Sequence, residues 1–398
     1  MKKQKFPLLA RVATAIVLGI LLGQVMPLWL TRVFVTFNGL FSNFLSFIIP
    51  LIIVGLVTPA IGELGKGAGK LLLTTALIAY GSTLFSGFFT YFSCQATFPF
   101  VIGGSSLPNA DGSATDAILA PYFSVAMPPV LEVMSALIFS FCVGIGLSLI
   151  KGNALRKAFR DFHAIITRII ASVIIPLLPI YIFGMFLNMA VSGQVYSVVM
   201  LFLKVILVVF ALHILLLLLQ FFIAGTIAKK NPLKLLKTML PAYATALGTS
   251  SSAATIPVTL DCAVKNGVRT SIASFVVPLC ATIHLAGSTM KIVAFSLAFM
   301  YFSGLPIDFV QFAGFIFMLG ITMIAAPGVP GGAIMAAVGV IQSMLGFNEQ
   351  LLGMMITVYI AIDSFGTACN VTGDGAIAVV MDKIAGKNEK DKTALLEL

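Results

Sequence analysis

Eight stretches of this chain, near residues 8–30, 34–58, 70–94, 126–150, 164–190, 197–227, 270–302 and 352–382, are apolar over a length that suits a bilayer crossing. A helix needs about 20 such residues to cross the hydrocarbon layer. Of the 398 residues 59% are hydrophobic and only 10% charged, a balance that places the chain in a membrane. The expectation is an all-α polytopic membrane protein with eight transmembrane helices. Two further apolar segments between these spans are shorter and broken.

The net charge of +10 could suggest an anionic partner such as nucleic acid, but its distribution says otherwise. Lys2, Lys3, Lys5 and Arg11 open the chain; Lys66 and Lys70 follow the second span; Lys151, Arg156, Lys157 and Arg160 follow the fourth; Lys229, Lys230, Lys234 and Lys237 follow the sixth. Lys265 and Arg269 precede the seventh. The opposite loops, 95–125, 189–197 and 303–351, hold no Lys or Arg and carry Asp111, Asp116, Asp308 and Glu349. The positive-inside bias then puts both termini in the cytoplasm of a multi-pass inner (plasma) membrane protein, provided each broken segment enters and leaves from one side. The basic start is short and no small-residue cleavage site follows it, so the first apolar run reads as span one rather than a cleaved signal. Cys94, Cys142, Cys262, Cys280 and Cys369 are scattered and never form a CxxC pair, which indicates neither a disulfide framework nor a thiolate metal site.

The first broken segment, KTMLPAYATALGTSSSAATIPVTLDCAV, centres on Ser250, Ser251 and Ser252; the second, FMLGITMIAAPGVPGGAIMAAVGVIQSML, on Gly328, Val329, Pro330 and Gly331. Non-helical backbone at membrane depth persists only where protein or a watery cavity satisfies it, so both read as re-entrant hairpins lining a site. Each is followed by a full span, and they enter from opposite sides, which is the inverted-repeat logic of secondary transporters. Helix N-termini at such tips suit a carboxylate, and unwound carbonyls suit a cation. Glycines at Gly328 and Gly331 make the second tip a candidate lid. The span between the hairpins is interrupted at LCATIHLAGSTMKIV, where Gly287 marks a candidate unwound step.

The last span carries VYIAIDSFGTACNVTGDGAIAVV. As one helix it places Asp363, Thr367, Asn370 and Asp374 on a single stripe. Small polar residues also serve as interhelical hydrogen-bond glue, but two intramembrane acids point to a bound solute. His284 and Lys291, seven residues apart, share a face of span seven. Either could replace a cation's charge or carry a proton; the plainer alternative is a hydrogen-bonded core histidine and a snorkelling lysine. His213 reads as a core histidine, His163 as interfacial, and Lys204 and Arg168 as snorkelling. Ser251 with His284 lacks a GxSxG elbow and an orienting acid, and there is no P-loop, so neither a hydrolase nor an ATP-driven pump is indicated. The chain is not expected to be an enzyme.

These residues resemble the dicarboxylate and amino acid:cation symporters, the glutamate transporter homologues. The resemblance rests on SSSAATIPVT, the GVPG tip and the closing DxxxTxxNVTGD, and covers most of the chain. It implies the glutamate-transporter-homologue fold with inverted repeats: a scaffold from 1–69 (spans one and two) and 126–190 (spans four and five), and a mobile unit from 70–95 (span three), 197–230 (span six) and 231–398 (the core of hairpins and spans seven and eight). A homotrimer in the lipid bilayer is implied as well. Asp363 is then expected to hold the substrate's amino group, Asn370 its α-carboxylate, and Thr367 to add a hydroxyl. Asp374 and Asn370, with carbonyls near Cys280, are similar to a first Na+ site, and Thr282 with hairpin carbonyls to a second. The family's Asn-Met-Asp-Gly-Thr run reads here His284, Leu285, Ala286, Gly287 and Ser288. Its third Na+ site, with Thr75, Ile78 and Ala79 on span three, is implied to be absent.

Acidic-substrate members carry an Arg three residues after the substrate aspartate; this chain has Gly366. An acidic side chain would lose its partner there. The pattern is similar to the serine/threonine:sodium branch, and the expectation is Na+-coupled symport of a small neutral amino acid, namely serine, threonine or alanine. The alternatives are a proton-coupled or uncoupled carrier of another small carboxylate, or an anion-conducting channel.

Overall fold

The computed structural model describes residues 8–64, 70–102, 119–193, 195–326 and 330–386. Lys2, Lys3, Lys5, Lys66, Asp111, Asp116, Gly328, Val329 and the charged tail lie outside these residues. Among the described residues the chain is helical, in the order α1 (Leu8–Leu22), α2 (Leu28–Leu64), α3 (Lys70–Val101), α4 (Val133–Leu149), α5 (Ala154–Ile169), α6 (Ile175–Val191), α7 (Val195–Ala228), α8 (Pro232–Thr249), α9 (Ser252–Lys265), α10 (Thr270–Ile283), α11 (Ala286–Phe302), α12 (Phe309–Ile324), α13 (Gly332–Leu345), α14 (Glu349–Ala361) and α15 (Asp363–Ala385). A π-helical turn, Ile170–Ile174, fuses α5 and α6 into one run.

Five continuous runs among the described residues are long and apolar enough to cross a membrane: Leu28–Gly62, Leu71–Val101, Ala154–Val191, Val198–Ala228 and Thr270–Phe302. The pair α14 and α15 makes a sixth when taken together, bent by 62°. Several expected boundaries shift. Helix α1 stops at Leu22 rather than near residue 30, because Pro27 starts the next helix: its carbonyl accepts from Leu30 N and Thr31 N at 3.0 and 3.1 Å. The fourth span begins at Val133, not at 126, since Pro128 and Pro129 hold the preceding residues out of helix. That segment runs extended along α2, where Ala120 O accepts from Arg32 Nε at 2.8 Å and Val125 O from Asn43 Nδ2 at 2.7 Å. The expected spans seven and eight are each two helices.

Both broken segments form pairs of helices that pack on each other. Helix α8 starts from Asn231, whose side chain accepts from Lys234 N, and Pro232. It ends at Ser250 in the left-handed region (φ 49°), and Ser251 caps α9 by accepting from Ala254 N at 3.3 Å. The turn is therefore two serines long. Helix α12 is capped by Asp308, which accepts from Gln311 N at 2.8 Å. Helix α13 starts after Gly331 (φ 74°) and ends at Gly346 (φ 70°), two positions where a side chain would be strained.

Helices α1, α2, α4, α5 and α6 pack mainly on one another. Helix α15 lies against α7, α8, α9, α10 and α11, while α13 reaches α2, α4 and α14. Apart from Tyr301 every residue of α11 is buried, and α15 is buried through most of its length. These two helices are the centre around which the candidate site is built.

Candidate functional site at the crossing of α11 and α15

Helix α15 begins at Asp363 because the chain breaks at Ile362 (φ −123°, ψ 25°). The sequence reading took this stretch as one unbroken span; no Gly or Pro marks the break. The stripe survives, since Asp363, Thr367, Asn370 and Asp374 all fall within α15 and all are buried. A second break, at His284 (ψ 97°) and Leu285 (ψ 43°), separates α10 from α11. Gly287, expected to mark the unwound step, instead lies in the first turn of α11. Its role is close approach: a Cβ there would fall 2.6 Å from Cys369 Cβ and 2.7 Å from Gly366 O.

This close contact lets α11 and α15 pair in opposite order. Asp363 Oδ1 lies 3.2 Å from Lys291 Nζ, and Asp374 Oδ1 lies 2.9 Å from His284 Nδ1. Between them Asn370 Oδ1 accepts from Gly287 N at 2.8 Å and Ser288 N at 3.3 Å, while its Nδ2 donates to Ser288 Oγ at 3.0 Å. Thr367 Oγ1 turns back to Asp363 O at 3.1 Å. The second oxygen of Asp363 accepts from Gly331 N at 2.7 Å. The N-termini of α11, α13 and α15 thus open onto one stripe, and their amide groups favour an anionic group.

Lys291 is fully buried, its ammonium 3.6 Å from the ring centroid of Tyr359 and 3.4 Å from the carbonyls of Ile362 and Asp363. The snorkelling alternative is thereby set aside. Gly366 makes room for it: a Cβ at Gly366 would strike Lys291 Cε and fall 2.7 Å from Nζ. The position that lacks an arginine is therefore filled by a cation from another helix.

His284 is buried as well, and its Nε2 faces Ser82 Oγ at 3.0 Å, which in turn accepts from Gln220 Nε2 at 3.1 Å. Asp374 Oδ2 is buried without a hydrogen-bond partner. His213 reads as the core residue expected of it, its Nε2 lying 3.2 Å from Gly287 O. Sequence reasoning missed Ser82, Gln220 and Tyr359. Ser82 continues the helical row of Thr75, Ile78 and Ala79 by one turn, and following that row would have found it.

The other expected residues are placed unevenly. Ser250, Ser251 and Ser252 form the α8–α9 turn and its edge, with Ser252 buried. Pro330 precedes α13, next to the Gly331 amide on Asp363. Cys280 is buried, and its carbonyl accepts from His284 N at 2.8 Å. Thr282 is exposed, with its hydroxyl turned to Leu279 O at 2.8 Å. A hard cation such as Na+ asks for a cage of oxygens. At Asp374 one carboxylate oxygen faces an imidazole and Asn370 Oδ1 is taken by two amides, while Asp374 Oδ2 has no hydrogen-bond partner among the described residues.

The family model for the sodium:dicarboxylate symporter family matches residues 8–384. Among curated proteins, the serine/threonine transporter SstT of Acinetobacter baumannii (strain AYE) is 26% identical over 95% of this chain and 97% of its own length. Excitatory amino acid transporter 1 of Rattus norvegicus is 27% identical over 66% of this chain; the match spans about half, 49%, of that longer protein.

Proposed function

Because the chain belongs to the sodium:dicarboxylate symporter family, we propose that it is a secondary active transporter for a small neutral amino acid, with serine, threonine and alanine as candidates. It is a transporter rather than an enzyme. The observation that carries the substrate class is the charge balance at Asp363. Its carboxylate faces one ammonium, that of Lys291 at 3.2 Å, so the pair is neutral as it stands. A zwitterion adds no net charge to such a pair. Its ammonium can take Asp363 while its carboxylate meets Asn370 and the helix N-termini that converge there. An acidic amino acid would bring one further negative charge into a buried site, where an uncompensated ion costs several kcal/mol. The serine/threonine relative, aligned over nearly the whole chain, supports the same class.

In this reading eight spans cross the inner membrane, two re-entrant hairpins enter it from opposite sides, and both termini lie in the cytoplasm. The group α1, α2, α4, α5 and α6 is the scaffold of a trimer; α3 and α7 to α15 move against it with the substrate enclosed. The separate packing of the first group supports that division.

Sodium is the family's general coupling ion, and Asp374 Oδ2, a buried carboxylate oxygen with no hydrogen-bond partner among the described residues, is an oxygen this chain can offer to it. A second reading of the coupling is favoured by one contact, the imidazole of His284 on Asp374 Oδ1 at 2.9 Å. There a histidine-borne charge takes the place of the ion, and a proton gradient drives uptake. Uptake of labelled L-serine into proteoliposomes tests both. Uptake under an inward Na+ gradient but not with choline, competed by threonine and not by aspartate, supports sodium coupling. Uptake driven by a proton gradient with choline supports the second reading. No serine uptake under either gradient would overturn the substrate assignment.

A further inference from the structure

We infer that Lys291 is a tethered counter-cation, which takes the place of the substrate's ammonium on Asp363 when the carrier is empty and so allows it to recross the membrane without cargo. The inference rests on the reading of Asp363 as the ligand of the substrate's amino group.

A carrier that performs net transport returns empty once per cycle. If its substrate aspartate were bare on that return, an unpaired carboxylate would move through the low-dielectric interior, which is strongly disfavoured. Such a carrier would exchange one substrate for another and do little else. Here the empty site is already balanced. Lys291 Nζ lies 3.2 Å from Asp363 Oδ1, and the other carboxylate oxygen is held by Gly331 N at 2.7 Å. The ion pair stands on the stripe that also bears Thr367 and Asn370, at its first residue.

Two details separate this arrangement from a merely structural ion pair. The first is the clearance at Gly366, where any Cβ would collide with the end of the lysine side chain. With no side chain at Gly366, the end of the lysine has this space beside the substrate carboxylate to itself. The second is the alternative resting place around it. Lys291 Nζ already lies 3.4 Å from the carbonyl oxygens of Ile362 and Asp363 and 3.6 Å from the Tyr359 ring centroid. An aromatic face and backbone carbonyls hold a desolvated ammonium well. When a substrate ammonium arrives at Asp363, the flexible lysine stem can rotate Nζ toward these groups without leaving its charge unsupported. The cation need not dissociate, and no soluble ion has to take its place.

The test compares net uptake with exchange in proteoliposomes. Wild-type protein is expected to take up L-serine into vesicles whose lumen contains only N-methylglucamine as cation, because Lys291 supplies the return charge. Lys291→Met is expected to keep serine:serine exchange while net uptake falls more than about tenfold, since little of the empty carrier is competent to return. Methylammonium in the lumen, a soluble copy of the missing group, should restore net uptake, and Lys291→Arg should retain part of it. Equal loss of exchange and net uptake in a folded Lys291→Met protein would overturn the proposal, as would an unchanged ratio between them. If the variant does not fold, the wild-type measurement decides alone: a requirement for a small luminal cation overturns the tethered-cation reading. Absence of serine uptake and exchange in the wild type would instead count against the substrate assignment.

Discussion

His284 Nδ1 stands 2.9 Å from Asp374 Oδ1 with both side chains buried, so an imidazole covers half of the carboxylate on which the sequence reading placed a sodium ion. The same break in the chain that lifts His284 out of helix directs it at α15.

Replacing that imidazole tests what it displaces. His284→Asn, which restores the family's residue at this position, should uncover Asp374 for a cation. Thermal unfolding of the purified variant in NaCl against choline chloride is expected to show a larger Na+-dependent rise in Tm than the wild type. An equal response in both proteins would count against competition between imidazole and ion at Asp374.

Asp363→Asn leaves Lys291 buried without its counter-ion, a loss of about 3–5 kcal/mol for breaking one side of a buried pair. The double variant Asp363→Asn with Lys291→Met should recover much of that stability and none of the transport. Thermal unfolding and serine uptake, measured on Asp363→Asn, Lys291→Met and the double variant, separate the two contributions. Recovery of uptake in the double variant would remove Asp363 from the substrate site.

Gly366 is the position where the sequence reading expected an arginine to convert the carrier to acidic substrates. With Lys291 filling that space, Gly366→Arg alone should impair transport, because two cationic side chains would then compete for the room beside Asp363. Gly366→Arg combined with Lys291→Ala restores both the room and the positive charge, and is expected to gain aspartate binding, read as competition with labelled substrate. A gain in the single variant equal to that of the double would show that the space is not limiting.

Gly287→Ala introduces a methyl group 2.6 Å from Cys369 Cβ and 2.7 Å from a backbone carbonyl. Neither neighbour is a flexible chain end. Overpacking of this kind costs about 1–3 kcal/mol and should lower Tm accordingly. An unchanged Tm would mean that α11 and α15 can separate there at no cost.

Much of the architecture was legible in the sequence, for reasons that are local. Runs of serine, proline and glycine punctuate the chain where helices turn, and the α8–α9 turn falls on Ser250 and Ser251 as the serine cluster suggested. The stripe from Asp363 to Asp374 needed only helical spacing. What stayed hidden depends on partners far apart in the chain. Neither the pairing of Lys291 with Asp363 nor that of His284 with Asp374 is encoded in any spacing, because each joins two helices through their packing. Gly366 read as a missing arginine, while its neighbour in space, Lys291, lies 75 positions away in sequence. Thr282, expected as an oxygen ligand from the family resemblance, is exposed and turns its hydroxyl back to Leu279 O within its own helix, a geometry that the resemblance does not carry.

The bend at Ile362 is made, like the break at His284 and Leu285, without a glycine or proline at the break itself. At its apex the two oxygens of Asp363 are held by Lys291 and Gly331, across a 62° angle between α14 and α15. The shape of the last span is thereby tied to its partners: α11 and the start of α13 grip the first residue beyond the bend, so a change at either of them bears on the angle as well as on the carboxylate.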